Sequence, residues 1–262
     1  MPSRLKIGLI INPIAGIGGR VALKGSDGDA IQQQALALGA KPEAEIRTRL
    51  TLELLLPFAD KISFYSVSGS MGGNLLETMN FNYQKCYSPL EQQNTTEADS
   101  LNAATIMKGK VDLLLFAGGD GTARNILAAV GEKQLCLGIP AGCKIYSAVF
   151  TVTPENAAEL IIQLLSGQLV EMQTAQVLDI NETSYRSGNL STRVYGEMLV
   201  PRNGALVQSV KVSGRENEAL EQQEIAVWVC ENMAADTLYL IGSGSNCKTI
   251  KDEIGIDGSL LG

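Results

Sequence analysis

The run Gly118-Gly119-Asp120-Gly121-Thr122 sets one carboxylate among three glycines, directly after the apolar stretch 113–117. Glycine permits positive φ and lets backbone amides come close to an anion, because no Cβ stands in the way. The following residues, 123–130, read as a short helix whose first amides would point at that anion. A carboxylate beside a phosphate repels it unless the carboxylate has a task of its own. Two tasks fit: Asp120 accepts the proton of a substrate hydroxyl, or it holds Mg²⁺ directly or through water. Both belong to phosphoryl transfer, where positioning and charge stabilisation carry most of the catalysis. A tight turn with Asp120 as a helix cap is the plainer account, but a cap does not call for glycine on both sides.

Two more glycine clusters follow apolar runs, at residues 12–19 and 242–244. In an open parallel sheet, ligands bind beyond the carboxyl ends of the strands. Three such loops at one sheet edge would outline a nucleotide-sized site. Neither of the two flanking loops completes a G-x-G-x-x-G pattern, since Val21 and Cys247 occupy the third glycine position, and no GxxxxGK[ST] run exists. Near these loops, Lys144 could neutralise phosphate or lie on the surface. Arg124 could pair with Asp120, with phosphate, or with water alone. Tyr146 and Ser147 could line the pocket, while Cys143 and Trp228 read as core residues.

The chain contains no histidine. That removes Ser-His-Asp and Cys-His catalysis, histidine general bases and His-ligated zinc. Proton chemistry must rest on carboxylates, Lys, Tyr or Cys, and a metal would be a hard cation held by oxygens, with no protein ligand set assigned. The net charge of −7 opposes a nucleic-acid or anionic-membrane partner. No apolar run is long enough for a membrane span. Five cysteines without CxxC spacing fit reduced thiols in a cytoplasm.

The elements that must position these residues alternate in the first half. Residues 6–11, 61–69, 111–119 and 134–142 read as strands. Helices are expected over 29–38, over 97–108 behind a Thr96 cap with Asp99 three residues on, and over 123–130. Such alternation predicts a parallel sheet with helices on both faces. Thr153-Pro154-Glu155 opens one more helix. From 173 to 231 the texture is β: QVLDI, STRVYGEMLV, ALVQSVKV and EIAVWVC, with Asn203-Gly204 as a hairpin turn. Residues 237–255 restore strand, glycine loop and helix. The expected organisation is an α/β nucleotide-binding domain of residues 1–150 plus 236–262, and a β-rich substrate domain of 151–235. The apolar ending at 259–262 suggests that further chain follows.

GGDGT after an apolar strand resembles the signature of the superfamily joining NAD kinases, diacylglycerol kinases and sphingosine kinases. Asn12-Pro13-Ile14-Ala15-Gly16 is similar to its NPxxG loop. GGDGTARNIL, GIPAGCKIYSAVF, DINETSYRSG and the final LLG, in this order, resemble the bacterial ATP-NAD kinase-like branch grouped with the acetoin-catabolism protein AcoX. The resemblance spans the whole chain. It implies an N-terminal Rossmann-like parallel-sheet domain and a C-terminal antiparallel β-rich domain. It implies transfer of a phosphoryl group from ATP or polyphosphate, with Mg²⁺, to the 2′-hydroxyl of the NAD adenosine ribose. Asp120 would be the proton acceptor. Asn12, Gly16, Gly118, Gly119, Gly121 and Thr122 would surround the nucleotide, and Asn181 and Glu182 would hold the dinucleotide. A cytoplasmic homo-oligomer acting on a small-molecule nucleotide is implied too. The sequence departs from main-branch NAD kinases in lacking a second Gly-Asp-Gly block and a Thr-Gly-Ser-Thr-Ala-Tyr-like segment; Tyr185-Arg186-Ser187-Gly188 stands near that place. This bears on the acceptor more than on the donor. A non-catalytic nucleotide sensor, or a kinase of another small-molecule or lipid hydroxyl, is the alternative.

Overall fold

The structure, a computed structural model, describes residues 4–17, 37, 39, 42–91, 95–142, 145–168, 170–180, 192–203, 206–207, 222, 225–234 and 236–258. Its first half is a five-stranded parallel sheet made of β1 (Leu5–Ile11), β2 (Ile62–Val67), β3 (Tyr83–Tyr87), β4 (Leu113–Gly118) and β5 (Cys136–Pro140), in the order β3-β2-β1-β4-β5. The helices around it are α1 (Glu43–Leu55), α2 (Gly73–Thr78), α3 (Glu97–Met107), α4 (Asp120–Val130) and α5 (Pro154–Leu165). β6 (Glu171–Ile180) and β7 (Thr192–Arg202) form a separate two-stranded antiparallel sheet. The α/β class with a Rossmann-like sheet thus stands. The expected helix over 29–38 lies largely outside the described residues, as does most of the expected strand ALVQSVKV with its Asn-Gly turn.

The sheet is apolar on both faces because successive side chains of a buried strand feed two cores. Ile7, Leu9, Ile11, Leu113, Leu115 and Leu137 pack with Leu52 and Leu55 of α1 and Leu160 and Ile161 of α5. Ile10, Leu114, Phe116 and Cys136 face the other way, toward Met107 of α3, Ile126 of α4, Val177 of β6 and Met198 of β7. Phe116 and Phe150 meet edge to face at 5.3 Å. Gly138 makes room for that ring, since a Cβ there would run into Phe150.

Local sequence sets the helix ends. The Thr96 cap is a full capping box: the Thr96 N–H donates to Asp99 Oδ2 at 2.8 Å. Thr153 and Asn156 exchange the same pair of bonds ahead of α5, with Pro154 in the first turn.

Contacts divide the chain into two compact units. One comprises Met1–Asp179 with Val194–Val210, the other Ile180–Arg193 with Lys211–Gly262. By contact, then, α5, most of β6 and most of β7 go with the parallel sheet, and the stretch 237–262 falls in the second unit.

Two expected strands are not strands. EIAVWVC is helical over residues 225–231, here α6. Its burial has the helical period: Ala226 is buried, while Ile225 and Trp228 are exposed. A short run that is apolar at every position fits either period, so alternation could not decide it. Trp228, expected in the core, is 65% exposed. Residues 237–241 are irregular, with Leu238 and Leu240 in the open. A strand needs a neighbouring edge for its backbone groups, and apolar sequence alone does not supply one. The helix behind this stretch does form, as α7 (Ser245–Glu253).

Candidate active site

The sheet order reverses between β1 and β4, which both end at their carboxyl side in a glycine loop. This switch point is where open α/β sheets bind ligands. The Asn12 N–H donates to the Ala117 carbonyl at 2.9 Å, tying the end of β1 to the end of β4. The Asn12 amide then donates to Thr122 Oγ1 at 2.9 Å and accepts from the Ile14 N–H at 3.3 Å. The NPIAG loop and the GGDGT loop are therefore joined through Asn12 and Thr122.

The third loop at this edge is the one after β5. The amides of Ala141 and Gly142 donate to the Gly118 carbonyl at 2.9 and 3.1 Å. A Cβ on Gly16, whose φ is +79°, would strike the Ala141 carbonyl, and one on Gly119 would lie 3.4 Å from Gly142 Cα. Gly16 is needed because two backbones converge there at a positive φ, whereas a Cβ on Gly119 would make an ordinary contact. Gly121 differs: nothing lies within 4 Å of the place its Cβ would take. The loop 242–244, expected as the third member, falls in the second compact unit.

α4 begins at Asp120, and no side chain caps it. Its first intrahelical bond among the loop-spanning ones runs from Ala123 N–H to the Gly119 carbonyl at 3.0 Å. The amides before Ala123 have no acceptor within the helix. Such a helix end, with open space at Gly121, suits a phosphate.

Asp120 is buried. Its two carboxylate oxygens accept from the Tyr146 N–H at 2.8 Å and the Ser147 N–H at 3.0 Å. Burial pushes its pKa above the ordinary aspartate value. The bonds from Ser147 and Tyr146 oppose that rise, and the negative charge of Asp179 adds to it. A carboxyl poised upward is suited to taking a proton and holding it.

Arg124 does not reach Asp120. It bonds Asp179 of β6 at 2.9 Å, lies 3.6 Å from Glu97 of α3, and stacks 5.6 Å over the Tyr195 ring of β7. Ser147, expected to line a pocket, is wholly buried and braces β6 instead: its hydroxyl donates to the Leu178 carbonyl at 2.8 Å and accepts from the Leu178 N–H at 2.9 Å. Tyr146 is half-buried. Asn181, Glu182, Cys143 and Lys144 lie outside the described residues.

Sequence reasoning missed Glu43, which packs against Gly16 and donates its N–H to the Ala15 carbonyl at 3.2 Å. The signal was there: Pro42 followed by Glu43 and Glu45 marks the acidic first turn of a helix. Ala141 and Gly142 were also missed as loop partners, and only the strand order reveals them.

Residues 7–169 match the ATP-NAD kinase N-terminal domain. The chain belongs to the NAD kinase family. This match covers β1 through α5, so every element that carries the NAD kinase-family loops described above lies inside it. Among solved structures, the chain is similar to a diacylglycerol kinase from Bacillus anthracis strain Sterne, at 18% identity over 68% of this chain and 46% of that one, TM-score 0.32. A second, provisionally assigned diacylglycerol kinase from the same strain gives 16% identity, the same coverage of 68% and 46%, and a TM-score of 0.37. The chain thus spans less than half the length of these solved structures. No curated protein matches it.

Proposed function

We propose that the protein is a Mg²⁺-dependent kinase that transfers the terminal phosphoryl group of ATP, or of polyphosphate, to the 2′-hydroxyl of the NAD adenosine ribose. The observation that carries this reading is Asp120. It is a buried carboxylate with both oxygens held by backbone amides, next to an uncapped helix end at the sheet's switch point. The hydroxyl oxygen attacks the γ-phosphorus and a new P–O bond forms. The bond to the β,γ-bridging oxygen breaks, and its electron pair leaves with ADP. The hydroxyl proton passes to the Asp120 carboxylate.

Asn12 and Thr122 hold two loops in register, and the amides of Gly121 and Thr122 face the phosphates. Asn181 and Glu182 hold the acceptor nucleoside. Mg²⁺ would travel with the triphosphate, whose charge it neutralises. The setting we infer is a cytoplasmic homo-oligomer.

The test is NADP formation by the purified protein with NAD, Mg²⁺ and either donor, run beside Asp120→Asn. Product from the wild type alone is expected. Full activity in the variant removes Asp120 from the reaction. One sequence observation favours a second reading, a nucleotide sensor: the second Gly-Asp-Gly block of main-branch NAD kinases is missing. A sensor would show a melting temperature raised by NAD and no turnover; at a hundredfold excess over Kd, binding stabilises by about 2.7 kcal/mol.

A further inference from the structure

The loop after β5 is held from two sides. On one, the Tyr146 and Ser147 amides donate to the two oxygens of Asp120 at 2.8 and 3.0 Å. On the other, the Ser147 hydroxyl pairs reciprocally with one residue of β6, donating to the Leu178 carbonyl and accepting from the Leu178 N–H at 2.8 and 2.9 Å. The Ala148 N–H adds a bond to the Gln176 carbonyl at 3.0 Å. Packing does not ask for the hydroxyl. Val149 and Phe150 supply the apolar contact with the core at this point, and alanine would fill the Ser147 site less one oxygen.

We propose that Ser147 is a positioning residue for Asp120, directing the carboxylate's free lone pairs by clamping the 145–148 loop to β6. An ionised carboxyl offers about four acceptor sites. Two are occupied by the Tyr146 and Ser147 amides, and the Ser147 side chain also bonds the carboxylate, so the direction of the rest follows from where this one loop stands. Displacing a reacting group by about 1 Å costs on the order of a hundredfold in rate. Among the described residues, the charged groups around Asp120 are Asp179 on β6, which repels it, and Arg124 on its own helix, which is paired to Asp179 and to Glu97 of α3.

The kinetic half of this proposal rests on Asp120 being the proton acceptor; the structural half does not. Both are tested with Ser147→Ala. The Asp120 carboxyl is followed by ¹³C NMR through a pH titration, assigned by its loss in Asp120→Asn, and kcat and KM are measured over the same range. With the hydroxyl gone, its own bond to the carboxylate is lost and the amide bonds that favour the charged form loosen. The Asp120 midpoint should rise by about half a pH unit or more. kcat should fall about tenfold or more with its acid limb moved to higher pH, while KM for ATP stays within about twofold. A wild-type midpoint in a folded Ser147→Ala protein overturns the proposal. If the alanine variant does not fold, Ser147→Cys takes its place: a thiol is a poor partner for Leu178, so the same rise is expected and its absence overturns the clamp. A wild type that makes no NADP overturns the kinase reading, and the titration still decides Ser147.

Discussion

Replacing Asp120 by Asn separates what the carboxylate does for the fold from what it does for a proton. Both of its oxygens accept backbone amides. An asparagine has one oxygen, so its NH₂ would face one of those N–H groups. The expected cost is about 1–3 kcal/mol by denaturant unfolding, with turnover lower by about 10²–10⁴-fold. Unchanged stability would show that the amides do not depend on the second oxygen. Burial raises the Asp120 pKa, so its ionisation works against folding. That contribution to stability is whole below the ordinary value of 3.8 and is lost as pH rises through the folded value. Activity runs the opposite way: the acid limb of kcat should lie above 3.8 and disappear in Asp120→Asn. Two glycines make a paired test. Gly121→Ala meets nothing and sits in a helical turn, so it should leave stability unchanged or raise it by up to about 1 kcal/mol while weakening phosphate binding. Gly16→Ala meets the Ala141 carbonyl at a positive φ and should destabilise by more than about 1 kcal/mol. Gly121→Ala with unchanged KM for ATP would mean that phosphate does not approach there.

At the scale of elements, α4 carries Asp120 at its first turn and Arg124 at its second, and the two residues bind different partners. Arg124 latches α4 to β6 through Asp179 and to β7 through the Tyr195 ring. Its side chain is one-third exposed, so the Arg124–Asp179 coupling in a double-mutant cycle of Arg124→Ala and Asp179→Ala should be about 0.5–1 kcal/mol. No coupling would mean that the ion pair adds nothing to the hold that Ser147, Ala148 and core packing keep on β6. The strands β1, β4 and β5 could be read directly, because an apolar run buried on both faces needs no partner to be recognised, and β2 could be read from its alternation. β3 was not legible: it is a half-exposed edge strand, and its pairing with β2 shifts register at Ser66–Val67. Residues 225–230 were misread for the opposite reason, being apolar at every position and so having no period to count.

For the whole molecule, cysteine reactivity reports which unit opens. Burial pushes the Cys86 thiol up to about 11 and the Cys136 thiol up to about 12. Both lie in the sheet-containing unit, where Cys136 is buried and Cys86 half-exposed; the half-exposed Cys230 and Cys247 lie in the other. Alkylation of the native protein at about pH 8, read by peptide mass, should modify Cys230 and Cys247 first, Cys86 more slowly because its thiol is held protonated, and Cys136 only once denaturant unfolds the sheet. Labelling of Cys136 in the native state as fast as Cys230 would contradict the burial of the sheet.

The order of residues is enough to show that proton chemistry cannot use histidine, that a glycine-framed aspartate follows a buried strand, and that the first half is a parallel α/β sheet. Composition, short motifs and local periodicity suffice for such statements, because each depends on residues close together in the chain. Tertiary structure decided what those residues touch. Asp120 meets the amides 26 and 27 residues ahead of it, Arg124 turns to Asp179 55 residues away, and Ser147 answers to Leu178 31 residues on. The strand order brings together loops after β1, β4 and β5, while the glycines at 242–244 fall in the second unit. Partners at such separations are fixed by which strands lie side by side, and that order is a property of the packed sheet rather than of any one segment.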